Sequence, residues 1–367
     1  MLHPLDEFPV HQTPQSMSQL GTSDKNFYDR CYFNAHDRTG DTFLITGLGT
    51  YANLGVIDAY ATVKRGDTVY TARFSDAMST DRMHQQVGPY RIEVIEPLKK
   101  IRIICDADAH GIGFDLRWDG SHPAVMEQPH IMRSGPQAIL DASRFAQLGS
   151  WEGSLRVDGD EFAVTPDTWV GSRDRSWGIR PVGEPALPGR AAEEFFEGLW
   201  WLYIPLRFKD FSLIVICQES PDGFRTLNDA TRVWADGRVE QLGWPEVNIH
   251  YTSGTRIPEG AHIRLTARDG TPLDLEVESL GYAVLHQGAG YGGDTGWTHG
   301  TWHGRNWIEG QVYDLNDPTN LAMRPFGVID HVGRATLNGE TGWGLFEHGT
   351  IGRHDPSGFV DLGSVAP

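Results

Sequence analysis

Short runs of alternating apolar and polar residues recur along this chain, separated by turn-forming pairs. Tyr90-Arg91-Ile92-Glu93-Val94 alternates with period two, as does Phe114-Asp115-Leu116-Arg117-Trp118. That period places apolar side chains on one face of a half-buried strand. Ala61 to Phe74 reads as two strands around Arg65-Gly66-Asp67. Asp158-Gly159, Asp236-Gly237, Asp269-Gly270 and Asn338-Gly339 each separate two such runs. Asx-Gly pairs tolerate the positive φ of a tight hairpin, so each predicts antiparallel neighbours. Strands spaced this regularly suggest sandwiches or barrels.

Helical signals are few. Pro136 to Phe145 predicts one short helix, with Pro136 near its first position, and Ala191 to Phe196 another. No strand–helix series supports a parallel sheet. The fold class is therefore all-β. Residues before about Asp24 read as an arm. The Pro/Gly-rich stretch from Pro181 to Arg190 marks a boundary, giving β domains over about 1–185 and 186–367. A length of 367 residues favours two cores over one.

Composition narrows the function classes. The net charge of −18 disfavours nucleic acid and anionic membrane surfaces. Three distant cysteines, Cys31, Cys105 and Cys217, imply no disulfide framework and no metal cluster. Met1 to Glu7 lacks the basic and apolar regions of a secretory signal. The longest apolar run, Leu213 to Cys217, has strand length, so no transmembrane segment is expected. A cytoplasmic location follows as the default, and a homodimer is left open.

The most distinctive string is Gly171-Ser172-Arg173-Asp174-Arg175-Ser176-Trp177-Gly178-Ile179-Arg180-Pro181. Asp174 is a candidate acid or base, with Arg173 or Arg175 expected to hold its carboxyl ionised and Trp177 walling the pocket. A plainer reading makes the same string a salt-bridged corner. With the Trp200-Trp201-Leu202-Tyr203 strand after it, Asp174-Arg175-Ser176-Trp177-Gly178-Ile179-Arg180 resembles the AttH-like/carotenoid 1,2-hydratase superfamily. Gly342 to Gly349 and Gly352-Arg353-His354-Asp355 are similar to bacterial relatives, and the resemblance spans roughly Tyr28 to Pro356. It implies two lipocalin-like halves. In the hydratases an aspartate is implicated as proton donor, within aromatic walls. Chemistry varies among relatives, so the likeness speaks to fold more than to reaction.

A second constellation is Thr298-His299-Gly300-Thr301-Trp302-His303-Gly304-Arg305. If it is a strand, His299, Thr301 and His303 share one face and Trp302 takes the other. With His286 upstream, three histidines could bind zinc, but no established zinc spacing matches. His299 and His303 read better as proton shuttles, or as plain hydrogen-bonded histidines. Gly288 to Gly293 lacks the features of a nucleotide loop and reads as a pocket lip or a connector. Glu347 and His348 are adjacent, so on a strand they face opposite ways and do not line one site together.

These readings converge on a cofactor-independent lyase or isomerase of hydratase, dehydratase or cyclase type. It would act by acid/base chemistry on a hydrophobic small molecule such as a terpenoid or steroid-like compound. Asp174, His299 and His303 are the candidate catalytic groups; Arg175, Trp177, Trp200, Tyr203, His286 and Trp302 would contact the substrate. The alternative is a non-catalytic carrier of a hydrophobic ligand. The architectural reading has a direct check: far-UV circular dichroism is expected to be β-dominated, and a helix content above about a third would refute it.

Overall fold

The computed structural model describes residues 2–11, 19, 21–134, 137–181, 197–291, 296–324 and 327–367. Two curled antiparallel sheets dominate it. The first runs, in spatial order, Trp307–Asp314, Thr68–Ala77, Val56–Arg65, Thr42–Tyr51, Phe27–His36, Val170–Ile179, Gln137–Val157, Ile112–Gly120, Lys100–Ala107, Tyr90–Glu96 and Gln86–Val87. The second runs Val239–Gln241, Arg225–Trp234, Phe211–Glu219, Gly198–Arg207, Glu340–Gly352, Ile329–Leu337, Pro272–Val284, Pro258–Thr266 and Glu246–Tyr251. The all-β, two-domain lipocalin-like reading is thus the observed architecture.

The hairpin signals act through local backbone chemistry. Asp158 and Gly159 have φ of 52° and 86°, and Asn338 and Gly339 have 47° and 87°. Positive φ at both central residues matches the right-handed twist of the flanking strands. Strand Val170–Ile179 also needs a glycine: Gly178 has φ +133°, and a Cβ there would meet the Asp141 carbonyl oxygen at 2.1 Å.

The helix predicted at Pro136 to Phe145 is, from Gln137 onward, instead part of the strand Gln137–Val157; Pro136 lies outside the described residues. Its residues pair with Val170–Ile179, from Asp141 opposite Ile179 to Phe145 opposite Arg175. Ladder pairing and burial of Phe145 outweigh the helix propensity of Ala138, Leu140 and Ala142. The helix expected at 191–196 lies outside the described residues, as does most of the 181–190 boundary. The later half of the sequence also contributes a strand to the first sheet: Trp307–Asp314 pairs with Thr68–Ala77.

Each sheet curls around its own core. Phe33, Leu44, Ile103, Phe114, Trp118 and Trp151 fill the first, and Leu202, Ile204, Leu213, Ile263, Leu275 and Phe346 fill the second. A third cluster lies between the sheets and draws on both, with Tyr32, Phe43, Ile45 and Leu148 against Trp201, Tyr203, Ile216 and Val332. Several strands are therefore buried on both faces. Along Gly198–Arg207, Trp200, Leu202, Ile204 and Leu206 enter the second core, while Trp201 and Tyr203 face the first sheet.

The N-terminal arm is tied into the first barrel. Pro4–Glu7 form a 3₁₀ turn, and Glu7 is 3% exposed. Its carboxylate accepts two hydrogen bonds from Arg173, at 2.5 and 2.9 Å, and one from the Leu98 amide. His11 stacks on Trp177 with ring centroids 3.5 Å apart, and Nδ1 lies 2.8 Å from the Asp29 carboxylate. Removing one member of a buried pair strands the other charge. Glu7→Ala is accordingly expected to cost about 3–5 kcal/mol, read by urea denaturation; a loss below about 1 kcal/mol would mean that the arm does not stabilise the barrel.

Candidate active site

Between the sheets lies a cavity of about 180 Å³. That is more than ten times the space one water needs, about 10–15 Å³ on the same measure. Its apolar wall is Met132, Leu140, Leu199, Leu285 and Val328, with Trp201 and Tyr291 as aromatic members. Its polar groups are Arg30, Tyr32, His130, Arg144, Asp174, Ser176, Arg180, Gln218 and Glu347.

Alternation decides which residues reach it. On Val170–Ile179, Asp174 and Ser176 face the cavity. Arg173, Arg175 and Trp177 point the other way, into the first barrel. There Arg175 pairs with Asp29 at 2.8 Å and donates to Gln85 at 2.5 Å. Of the residues expected at the pocket, Arg175 thus ties segments of the first barrel together and Trp177 holds His11 of the arm, and neither flanking arginine neutralises Asp174. Burial raises the Asp174 carboxyl from 3.8 to about 6, against the pull of Arg144, Arg30 and Arg180. Among the described residues, the string is both a salt-bridged corner on one face and a cavity wall on the other.

The second sheet supplies two further carboxyls. Asp330 and Glu347 are directly opposed on the adjacent strands Ile329–Leu337 and Glu340–Gly352. Tyr32 donates its hydroxyl to Asp330 Oδ2 at 2.5 Å, and Trp201 Nε1 donates to Glu347 Oε1. Burial first, then the charge of Glu347, drives the Asp330 carboxyl well above the usual carboxylate range. Burial likewise raises Glu347. Two such carboxyls this close retain a proton between them. A fourth acid, Glu127, takes a 2.5 Å hydrogen bond from Arg144 and is pushed by burial to about 7. Arg144 also lies 4.4 Å from the Tyr203 ring centroid, which places Tyr203 on the cavity side of its strand.

The histidine segment is not a strand. Residues 297–306 form turns and irregular backbone, which separates the two histidines expected to share a face. His299 is buried behind the cavity wall, 5.2 Å from Tyr60 and 5.1 Å from Tyr291 between ring centroids, with Nδ1 3.7 Å from Asp58. Burial, then the charge of Arg30, lowers it to about 4, so the imidazole is neutral at physiological pH. Gly290 permits this packing: its φ is +80°, and a Cβ would meet Trp297 Nε1 at 2.6 Å. Tyr291, within the expected glycine-rich lip Gly288 to Gly293, does line the cavity. His303 packs against both Trp297 and Trp307, at 5.5 and 4.3 Å, while those two rings stack on each other at 5.6 Å, and Trp302 is 47% exposed; neither His303 nor Trp302 lines the cavity. His286 is buried beside Gly327, and Trp200 stacks on His354 within the second barrel. Among the described residues, no group of three or more His, Cys, Asp or Glu is arranged to hold a metal ion.

Sequence reasoning missed Glu347, Arg144, Trp201, Arg30 and Arg180 as cavity groups, and Asp330 as the partner of Glu347 behind the wall. The argument that Glu347 and His348 face opposite ways holds: His348 hydrogen-bonds the Trp201 carbonyl and Tyr251 on the core side, leaving Glu347 in the cavity. The missed signal was a charged residue on the otherwise buried outer face of Glu340–Gly352.

The raised Asp174 carboxyl has a consequence for stability. Between about pH 4, its unfolded value, and about pH 6 the folded chain binds more protons at this site than the unfolded chain does. Stability contributed by the neutral form is therefore present at low pH and lost as pH rises through about 6. Asp174→Asn is expected to become more stable than wild type as pH rises from 4 to 7, by on the order of 1–3 kcal/mol. Paired urea titrations would show this; a difference that is constant with pH would contradict it.

Comparison with solved structures places this architecture. The chain is similar to kievitone hydratase from Nectria haematococca, with TM-score 0.52 and 15% identity over 94% of this chain and 98% of that one. It is also similar to a protein assigned as AttH from Nitrosomonas europaea, with TM-score 0.53 and 14% identity over 92% and 96%. The fold is thus an AttH-like double lipocalin. No helix among the described residues is long and apolar enough to cross a membrane. No curated protein matches the sequence. Over residues 2–360 it matches the family of unknown function DUF8625, and the chain belongs to that family.

Proposed function

We propose that this protein is a hydro-lyase that adds water to, or removes it from, a hydrophobic small molecule, using carboxyl groups as acid and base. One observation carries the reading: three carboxyls with raised proton affinity, Asp174, Asp330 and Glu347, are gathered where the two sheets meet, and two of them line an apolar cavity. A carrier of an apolar ligand gains nothing from buried ionisable groups, which cost stability. The similarity to a hydratase of the same fold is in keeping with this chemistry.

In the dehydration direction, the proton held by the Asp330–Glu347 pair passes to the leaving hydroxyl, and the C–O bond breaks. Asp174, ionised above about pH 6, takes the proton from the neighbouring carbon, and the C–H electron pair becomes the alkene. Water leaves, and the two carboxyl sites exchange one proton overall. Hydration reverses each step. Trp201 and Tyr32 orient the acid pair through their hydrogen bonds. His299, neutral behind Tyr291, supports the wall and does not serve as the acid. A terpenoid or steroid-like skeleton suits the apolar wall.

The substrate is to be found by native mass spectrometry of protein purified from its source, followed by incubation of the released compound with fresh protein. The expected product differs by one water. Asp174→Asn and Glu347→Gln should each lower turnover by about 10²–10⁴-fold while ligand binding persists. Turnover should fall as pH drops below about 6, where Asp174 takes up its proton. A ligand bound and released unchanged, with neither variant affecting its fate, would establish the carrier alternative.

A further inference from the structure

Among the described residues, two of the cavity's three arginines have no carboxylate partner. Arg144 is paired with Glu127 at 2.5 Å. Arg30 is only 4% exposed, yet its guanidinium packs on rings, 4.8 Å from the Tyr291 centroid and 5.8 Å from that of Tyr28. Arg180 lies 5.5 Å from the centroid of the same Tyr291 ring. Among the described residues, neither makes an ion pair, and Asp174, whose charge couples to both, stands beyond ion-pairing distance. Burial and the charge of Arg30 both act to lower the proton affinity of Arg180.

Placing two like charges around one ring in a desolvated cavity is costly. The cavity's acids Asp174 and Glu347 are carboxyls of raised proton affinity, and among the described residues neither forms an ion pair with Arg30 or Arg180. An anion supplied from outside would relieve the repulsion. A guanidinium presents a planar fork of donors that matches a carboxylate better than a point charge would. Tyr291 sets the orientation of both forks by lying against each guanidinium.

We propose that Arg30 and Arg180 form an anion-binding subsite around Tyr291, and that the apolar substrate carries a carboxylate which they hold. The proposal rests on the hydro-lyase reading and specifies its substrate class, a hydrophobic carboxylic acid. The arginines position the substrate; the proton transfers remain with the carboxyls. Arg180 follows directly on the strand Val170–Ile179 that carries Asp174 at its middle, so one stretch of chain supplies both the base and part of the anchor.

The test uses the full chain and two probes of nearly the same shape, trans-cinnamate and the neutral cinnamyl alcohol, titrated at pH 7 by calorimetry. Wild type is expected to bind cinnamate about ten- to a hundred-fold more tightly than the alcohol, the range for a hydrogen bond to a charged group. Arg180→Gln should abolish that preference while leaving alcohol binding unchanged, and Arg180→Lys should restore part of it. Arg30→Gln should behave as Arg180→Gln does; should it fail to fold, the less buried Arg180 variants decide the matter. Equal binding of the two probes, no binding of either to wild type, or a preference that survives in Arg180→Gln would overturn the subsite. Because the readout is binding, it separates from the reaction: charge preference without any water addition or loss would leave the subsite standing and remove the hydro-lyase, whereas turnover of neutral compounds with no charge preference would do the reverse.

Discussion

Strict two-residue alternation along strands buried on both faces holds this architecture together. Residues 31, 33 and 35 of Phe27–His36 enter the first barrel core, while Arg30 and Tyr32 face the second sheet. The same division runs along Gly198–Arg207, where Trp200 and Trp201 part company, and along Glu340–Gly352, where Phe346 and His348 leave Leu345 and Glu347 on the other side. A register slip of one residue would exchange the two sets and drive charged groups into an apolar core. Register is therefore tightly specified at the strands that build the cavity.

The polar groups that make the cavity chemically capable also weigh against stability. Buried carboxyls with raised proton affinity and arginines without carboxylates contribute little to folding. Two aliphatic and aromatic barrel cores offset them, as does the arm that brings Glu7 to Arg173 beside the strand-to-strand pair Asp29–Arg175. Adjacent residues of one string thus have opposed roles. Arg173 and Arg175 are paired and structural, and Asp174 between them is left to the cavity.

Asp174 was legible because its string concentrates unusual residue types in a short span. Its companions were not. Asp330 and Glu347 are ordinary acids in ordinary strands, and only the pairing of Ile329–Leu337 with Glu340–Gly352 sets them opposite one another. Tyr32 lies almost three hundred positions from Asp330, with a 2.5 Å hydrogen bond between them. The histidines attracted notice by spacing, yet the turn at Gly300 and the ring stacks of Trp297, His303 and Trp307 direct them apart.

The sequence by itself determined the strands and their tight turns, because period-two patterning and the positive φ tolerated by Asp158-Gly159 and Asn338-Gly339 are local properties. It also determined that neighbours such as Glu347 and His348 part to opposite faces. Only the tertiary structure decided which face would meet a core and which a cavity. It alone turned Gln137 to Phe145 from a helical pattern into a ladder strand and sent Trp307–Asp314 to the first sheet. The reason is physical: a strand's alternation is set by its own backbone, whereas the environment of each face is set by partners far along the chain, whose hydrogen bonds and burial outweigh local propensity.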